Sequence, residues 1–242
     1  MKTRLLEKEY IDLIIKSIEH AAYLYEEYMK SEKFLTRNGA GGTQWDFINR
    51  ELVENFDSRF QVEFPFSGAW QFSLLYDRAT ETIYSLMRKN NLTLLRKKSD
   101  SKQFHYINAL AMVNKSTYEN KDIVNEQLSL DIGQMESQVS EEKLEKSLAE
   151  KIKNIDGEIK KYVLITFDTI NGHVAEIKGI VPWPGMNYVD EENWTELLSA
   201  DYDTEKFSSE NIFDEQKMAA QKNSNINLRR RNKKKIKTEK HM

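Results

Sequence analysis

The sequence predicts an α+β fold: an antiparallel sheet built from two hairpin units, packed with a long N-terminal helix and several shorter helices. Three observations point there. Residues 5–30 carry apolar side chains at three- and four-residue steps, the spacing of one helix face. Residues 60–87 and 160–183 change to period-two alternation interrupted by turn residues, the spacing of strands. Beyond residue 200 both periods fade, and a disordered basic C-terminal tail is expected.

Length and charge frame these elements. A chain of 242 residues can bury one substantial core. We expect a single domain over 1–200, with a mobile insertion at about 115–139 and a flexible acidic-then-basic tail at 201–242. Net charge is −3, but residues 188–215 hold ten acids against one Lys. Residues 223–242 hold eight Lys/Arg against one Glu. With no cysteine, disulfides, thiolate metal sites and thiol nucleophiles are excluded, and a reducing cytoplasm suits the composition. The four histidines are far apart in sequence, which disfavours a zinc site. Charges interrupt the apolar start, and no run has membrane-spanning length, so we expect a cytoplasmic protein with no membrane partner.

In the first helix Leu6, Tyr10, Leu13, Ile14, Ile18, Ala21 and Leu24 form the stripe, with His20 beside it as a structural residue. Asn38 to Gly42 is a flexible break, and Thr43 is placed to cap the next helix. That helix has Trp45, Ile48, Leu52, Val53 and Phe56 as its core face. The Gly-rich break lacks the Gly-Lys-Ser/Thr of a P-loop and reads as a plain helix connection. Gln61 to Phe64 alternates up to Pro65, and strands Ala69–Tyr76 and Glu81–Met87 flank a turn at Asp77–Thr80. Trp70, Phe72, Leu74 and Tyr76 share one face of the first of these strands, and a core row is expected of them rather than a base-stacking surface. A short segment at 90–95 leads to a compact helix over Phe104–Val113, and Ser140 caps a polar helix over Glu141–Asn154. After Pro182 to Gly185 turns the chain, Asp190-Glu191-Glu192 opens a short helix containing Trp194.

The stretch from Lys160 to Trp183 is the most strongly patterned. Strands Tyr162–Thr169 and His173–Val181 meet at Asn171-Gly172, a hairpin signal. A two-residue turn would pair Phe167 with Glu176 and mix charge with core. A three-residue loop with a bulge pairs Asp168 with Val174 and Thr166 with Glu176, and segregates the faces. We favour that register, because a one-residue slip exchanges the faces of a strand. It puts Val163, Ile165, Phe167, Ala175, Ile177 and Val181 on the apolar face. Thr166, Asp168, Glu176 and Lys178 gather on the other. Asp…Glu-x-Lys on adjacent strands resembles the PD-(D/E)xK nucleases. The resemblance implies Asp168 and Glu176 as ligands of a magnesium ion, with Lys178 beside the attacking water and an acid such as Glu158 assisting. The alternative is the ordinary polar face of a solvated sheet, with no cofactor.

A broader resemblance rests on GAWQFSLLYDRATETIYSLMRKNNLTLLRKK, on FHYINALAMVN and on the second hairpin. With Trp70, Tyr76-Asp77 and His105-Tyr106, residues 45–114 and 160–198 resemble an uncharacterised family of small proteins from Gram-positive bacteria and their phages. The resemblance implies a phage or mobile-element association and carries no catalytic activity over to this chain. Two sets of cations then point to nucleic acid, or to a nucleic-acid-bound protein, as partner: Arg88, Lys89, Arg96, Lys97 and Lys98, and in the tail Arg229, Arg230, Arg231, Lys233, Lys234 and Lys235. The expected function is an intracellular interaction protein without catalysis of its own, with the metal-dependent nuclease as the alternative.

Overall fold

The computed structural model describes residues 4–32, 39–97, 105–118 and 141–199. The chain opens with α1 (Lys8–Ser31) and α2 (Ala40–Asn55), then strand β1 (Phe60–Glu63). A small hairpin follows, β2 (Phe66–Ser67) with β3 (Trp70–Gln71), and then β4 (Leu74–Asp77) and β5 (Thr82–Arg88). Helices α3 (Lys89–Lys97), α4 (Tyr106–Tyr118) and α5 (Glu141–Ile152) separate β5 from β6 (Lys161–Ile170). The described chain ends in β7 (His173–Trp183), β8 (Asn187–Asn193) and a 3-10 helix, Thr195–Ser199.

The α+β class holds, but the two hairpin units join into one six-stranded sheet in the order β1-β4-β5-β6-β7-β8. The sheet is mixed: β5 and β6 run parallel, and every other pair is antiparallel. Parallel neighbours need a crossover between them, which the α3–α5 segment supplies. Helices cover both faces. On one, α1 and α2 bury Ile11, Ile14, Ile18, Ile48 and Leu52 against Leu75, Tyr84, Leu86, Ile165 and Ile177. On the other, Tyr106, Ile107 and Leu110 of α4 pack on Leu74, Tyr76, Ile83, Tyr162 and Leu164, with Leu148 and Ile152 of α5 alongside. This double cover explains why β4, β5 as far as Met87 and much of β6 are buried at every position rather than alternately.

Several expectations are corrected. The second helix starts at Ala40 with Gly39 as its N-cap, and Thr43 Oγ1 hydrogen-bonds back to the Gly39 carbonyl from inside it. Val53 stands 52 % exposed, outside the core face assigned to it. The expected strand Ala69–Tyr76 is split, so Trp70 sits on the separate β2–β3 hairpin while Phe72, Leu74 and Tyr76 join the core. Helix α4 continues through Lys115 to Tyr118, into the start of the expected insertion. Asp190, Glu191 and Glu192 lie in edge strand β8, not in a helix. There Glu192 accepts hydrogen bonds from Leu5 N (2.7 Å) and an ion pair from Arg4, and Glu191 takes Lys178 (2.9 Å). Residues 119–139 of the expected insertion and the tail 201–242 lie outside the described residues.

The second hairpin follows neither expected register. Asn171 (φ 52°) and Gly172 (φ 86°) make a two-residue turn with both central residues left-handed, and Ile170 pairs with His173. A bulge between Asp168 and Thr169 then shifts the pairing, so Asp168 faces Glu176 and Phe167 faces Ile177. The bulge segregates the faces as required. It does so with Ala175 exposed and Val174 in the core.

Candidate functional site

The polar face of the second hairpin assembles the expected residues. Asp168 is directly opposite Glu176, and Thr166 opposite Lys178. Asp168 Oδ1 accepts from Thr169 N at 2.9 Å. Glu176, however, is held from two sides. Lys89, the first residue of α3, hydrogen-bonds Glu176 Oε2, and Lys178 Nζ is 3.7 Å from Oε1. The Lys89 hydrogen bond is the main reason the Glu176 carboxyl sits below its usual pKa range. Lys178 is raised, chiefly by its hydrogen bond to Glu191, and stays an ammonium. Oxygen donors of this kind suit magnesium, but a cation on Glu176 would have to displace the lysines. Among the described residues no three His, Cys, Asp or Glu side chains are grouped to hold a metal. Glu158 cannot assist Asp168. It precedes β6, and that strand advances about 3.3 Å per residue towards Asp168 at its far end.

The basic cluster does not form one free surface. Arg88 ends β5 and turns inward, half-buried, with its guanidinium 5.5 Å from the Phe167 ring centre. It donates to Gln44 Oε1 (2.7 Å) and Thr169 Oγ1 (3.3 Å). Burial lowers its pKa, opposed by the charge of nearby Asp168. Lys89 is paired with Glu176, and Arg96 lies over the Tyr188 ring at 5.2 Å, while Lys97 is exposed. Lys98, Arg229, Arg230, Arg231, Lys233, Lys234 and Lys235 lie outside the described residues.

Arg88 instead lines a cleft of about 620 Å³, within the roughly 300–1,000 Å³ range of small-ligand sites. The cleft sits at the carboxyl end of β5, where α2, α3, α4 and the β2–β3 hairpin converge. Gly41 and Gly42 come from the first turn of α2, whose N-cap has no side-chain hydrogen bond. Helix starts of this kind carry N–H groups without intrahelical acceptors. Asn91 comes from α3, and His105 and Tyr106 from the start of α4. Aromatic rings form the walls: Trp45 stands edge-on to Trp70 (6.5 Å, 84°), and Phe72 stacks on Tyr106 (3.9 Å, 15°). His105 Nδ1 accepts a hydrogen bond from Ile107 N (3.3 Å) and so caps α4. Burial pushes its pKa down to about 4, so the imidazole is neutral near pH 7.

A model of a family of unknown function, DUF5986, matches residues 3–242. The chain belongs to that family. The DUF5986 match takes in the residues that carried the broader resemblance, and extends over the tail as well. No curated protein and no solved structure matches this DUF5986 chain. No described helix is long and apolar enough to cross a membrane.

Sequence reading missed the cleft. It treated Asn38–Gly42 as a connection, Trp70 and Phe72 as one core row, and Arg88 as one of a surface cluster of cations facing nucleic acid. The available signal was the coincidence of a glycine-rich helix start with an Arg at a strand end, and nothing local joins the two.

Proposed function

We propose that this DUF5986 protein is an intracellular, phage- or mobile-element-associated interaction protein that contacts single-stranded nucleic acid without catalysis. The cleft takes an unpaired base against Trp45 and Trp70, and Arg88 faces its phosphate. The observation that carries this is a half-buried Arg88 with donors left over, beside the exposed ring of Trp70 and the half-buried ring of Trp45. Aromatic stacking is tolerant of sequence, and Arg adds charge where the backbone passes. The mobile-element association rests on the resemblance of the Trp70, Tyr76-Asp77 and His105-Tyr106 motifs.

The test is a titration of tryptophan fluorescence with short single-stranded DNA and RNA. Trp70 is 43 % exposed on a two-stranded hairpin, so Trp70→Ala should fold normally. It should weaken binding roughly 5- to 100-fold, the effect of losing one base stack. Arg88→Ala should weaken it comparably. If wild type binds no single strand at low salt, the reading fails.

A metal-dependent nuclease is the second reading, favoured by the direct pairing of Asp168 with Glu176. The same samples incubated with magnesium or manganese should show no cutting. Cleavage that Asp168→Ala abolishes would replace the first reading with the second.

A further inference from the structure

We propose that a second cleft beside the first reads a guanine base, so that the ligand is a guanine-containing single strand of at least two nucleotides. The inference rests on the nucleic-acid reading above and names what that site selects. The second cleft, about 530 Å³, lies between α2 and the β2–β3 hairpin. Trp45 and Trp70 line both clefts, so the pair forms a common wall between them. A strand that stacks one base in the first cleft is led over this wall into the second.

The polar groups of the two clefts differ in sign. Arg88 faces the first. The second is lined by Asp46, on the outer face of α2, and by Gln71 on the hairpin. The Asp46 carboxylate is exposed and has no hydrogen bond or ion pair among the described residues. Gln71 spends its amide nitrogen on the Phe64 carbonyl (3.1 Å), which leaves its oxygen as a second acceptor. Arg50, on the same wall, is engaged by Glu51 and Glu54 of its own helix.

A carboxylate in a phosphate-binding groove repels the backbone, and is favourable there only if it faces donors. Guanine presents N1–H and the exocyclic amino group side by side, and a carboxylate accepts both in a bidentate bond. The other bases set an acceptor next to their Watson–Crick donor, and that acceptor would face the same carboxylate. A good bidentate contact discriminates about 5- to 150-fold.

The experiment uses the full-length protein and hexamers of thymidine carrying one central guanine, inosine or adenine, alongside oligo(dT). Inosine lacks only the exocyclic amino group. The guanine hexamer should bind roughly tenfold tighter than the inosine hexamer. Asp46→Asn should erase that difference, and oligo(dT) should bind the variant at least as tightly as wild type, because the repelling charge is gone. Equal affinity for guanine and inosine in wild type, with oligo(dT) still bound, overturns the guanine assignment and leaves the nucleic-acid reading standing. So does a guanine preference that survives Asp46→Asn, because Asp46 is then not the reader. If no hexamer binds, the nucleic-acid reading and this inference fall together.

Discussion

Asp77 shows how a single side chain organises the edge of this sheet. It is fully buried, and its two oxygens accept from Arg59 Nε and Nη2 (both 2.7 Å), Ala79 N (2.9 Å) and Thr80 Oγ1 (2.7 Å). Burial raises the Asp77 pKa, but the hydrogen bonds outweigh it and the net shift is downward. Arg59 also reaches Glu7 (3.0 Å) and lies over the Tyr10 ring (4.7 Å), so one guanidinium links α1, β1 and the β4–β5 turn. Asp77→Ala leaves Arg59 and two further donors without their acceptor. It should cost roughly 3–5 kcal/mol in urea unfolding, and a loss below about 1 kcal/mol would show that the pair contributes little. His105 makes a pH prediction. Its folded pKa of about 4 lies below the 6.5 of a free histidine, so the unfolded chain takes up a proton first as pH falls. The stability this neutral histidine contributes is complete above pH 6.5 and drains away between 6.5 and 4. His105→Asn keeps an N-cap acceptor but does not titrate. Between pH 7 and 4.5 wild type should lose roughly 2 kcal/mol more than the variant. Parallel pH profiles would show that the imidazole is not shielded.

At the scale of elements, β7 depends on a close approach that only glycine permits. Gly179 lies under the buried indole of Trp194, and a Cβ built there would overlap the ring, 2.7 Å from Cη2. Trp194 anchors the 3-10 helix, and its backbone N–H donates to the Ile177 carbonyl at 3.0 Å. Gly179→Ala should therefore displace the indole and cost about 1–3 kcal/mol, the usual range for overpacking a core. Thermal melts would register this as a lower midpoint together with a shifted tryptophan emission. An unchanged midpoint would mean the 3-10 helix can slide aside freely. The β6–β7 hairpin illustrates a different kind of control. Its Asn171-Gly172 turn fixes a register that would mix polar and apolar side chains, and the bulge corrects it within four residues. The position of the turn was legible in the sequence, and so was the need for a bulge to give one apolar face. The two-residue form of the turn and the place of the bulge were not, because a three-residue loop with a bulge at Gly172 meets that need equally well.

For the whole molecule, charge and topology decide what a ligand meets. The net −3 divides into +7 over residues 223–242 and −10 elsewhere. If the tail adds phosphate contacts, a chain ending at residue 222 should bind single strands with a shallower dependence on salt, since each lost contact removes about one unit of slope. Its response to Trp70→Ala should be unchanged, because stacking resides in the cleft. A tail deletion that abolishes the Trp70 effect would move the binding site off the folded unit. The sequence by itself determined the helix and strand periods, the two hairpin turns, the absence of thiol chemistry and the polar set Thr166, Asp168, Glu176 and Lys178. These follow from local spacing, which dictates which side of an element is apolar. Only the tertiary structure decided that β5 and β6 run side by side, that Val53 is exposed, that Glu176 is held by Lys89, and that Arg88 points into a cleft with Trp45 and Trp70. Each of these depends on neighbours from distant parts of the chain. Periodicity marks a face as one to be covered, while the partner that covers it is chosen by packing.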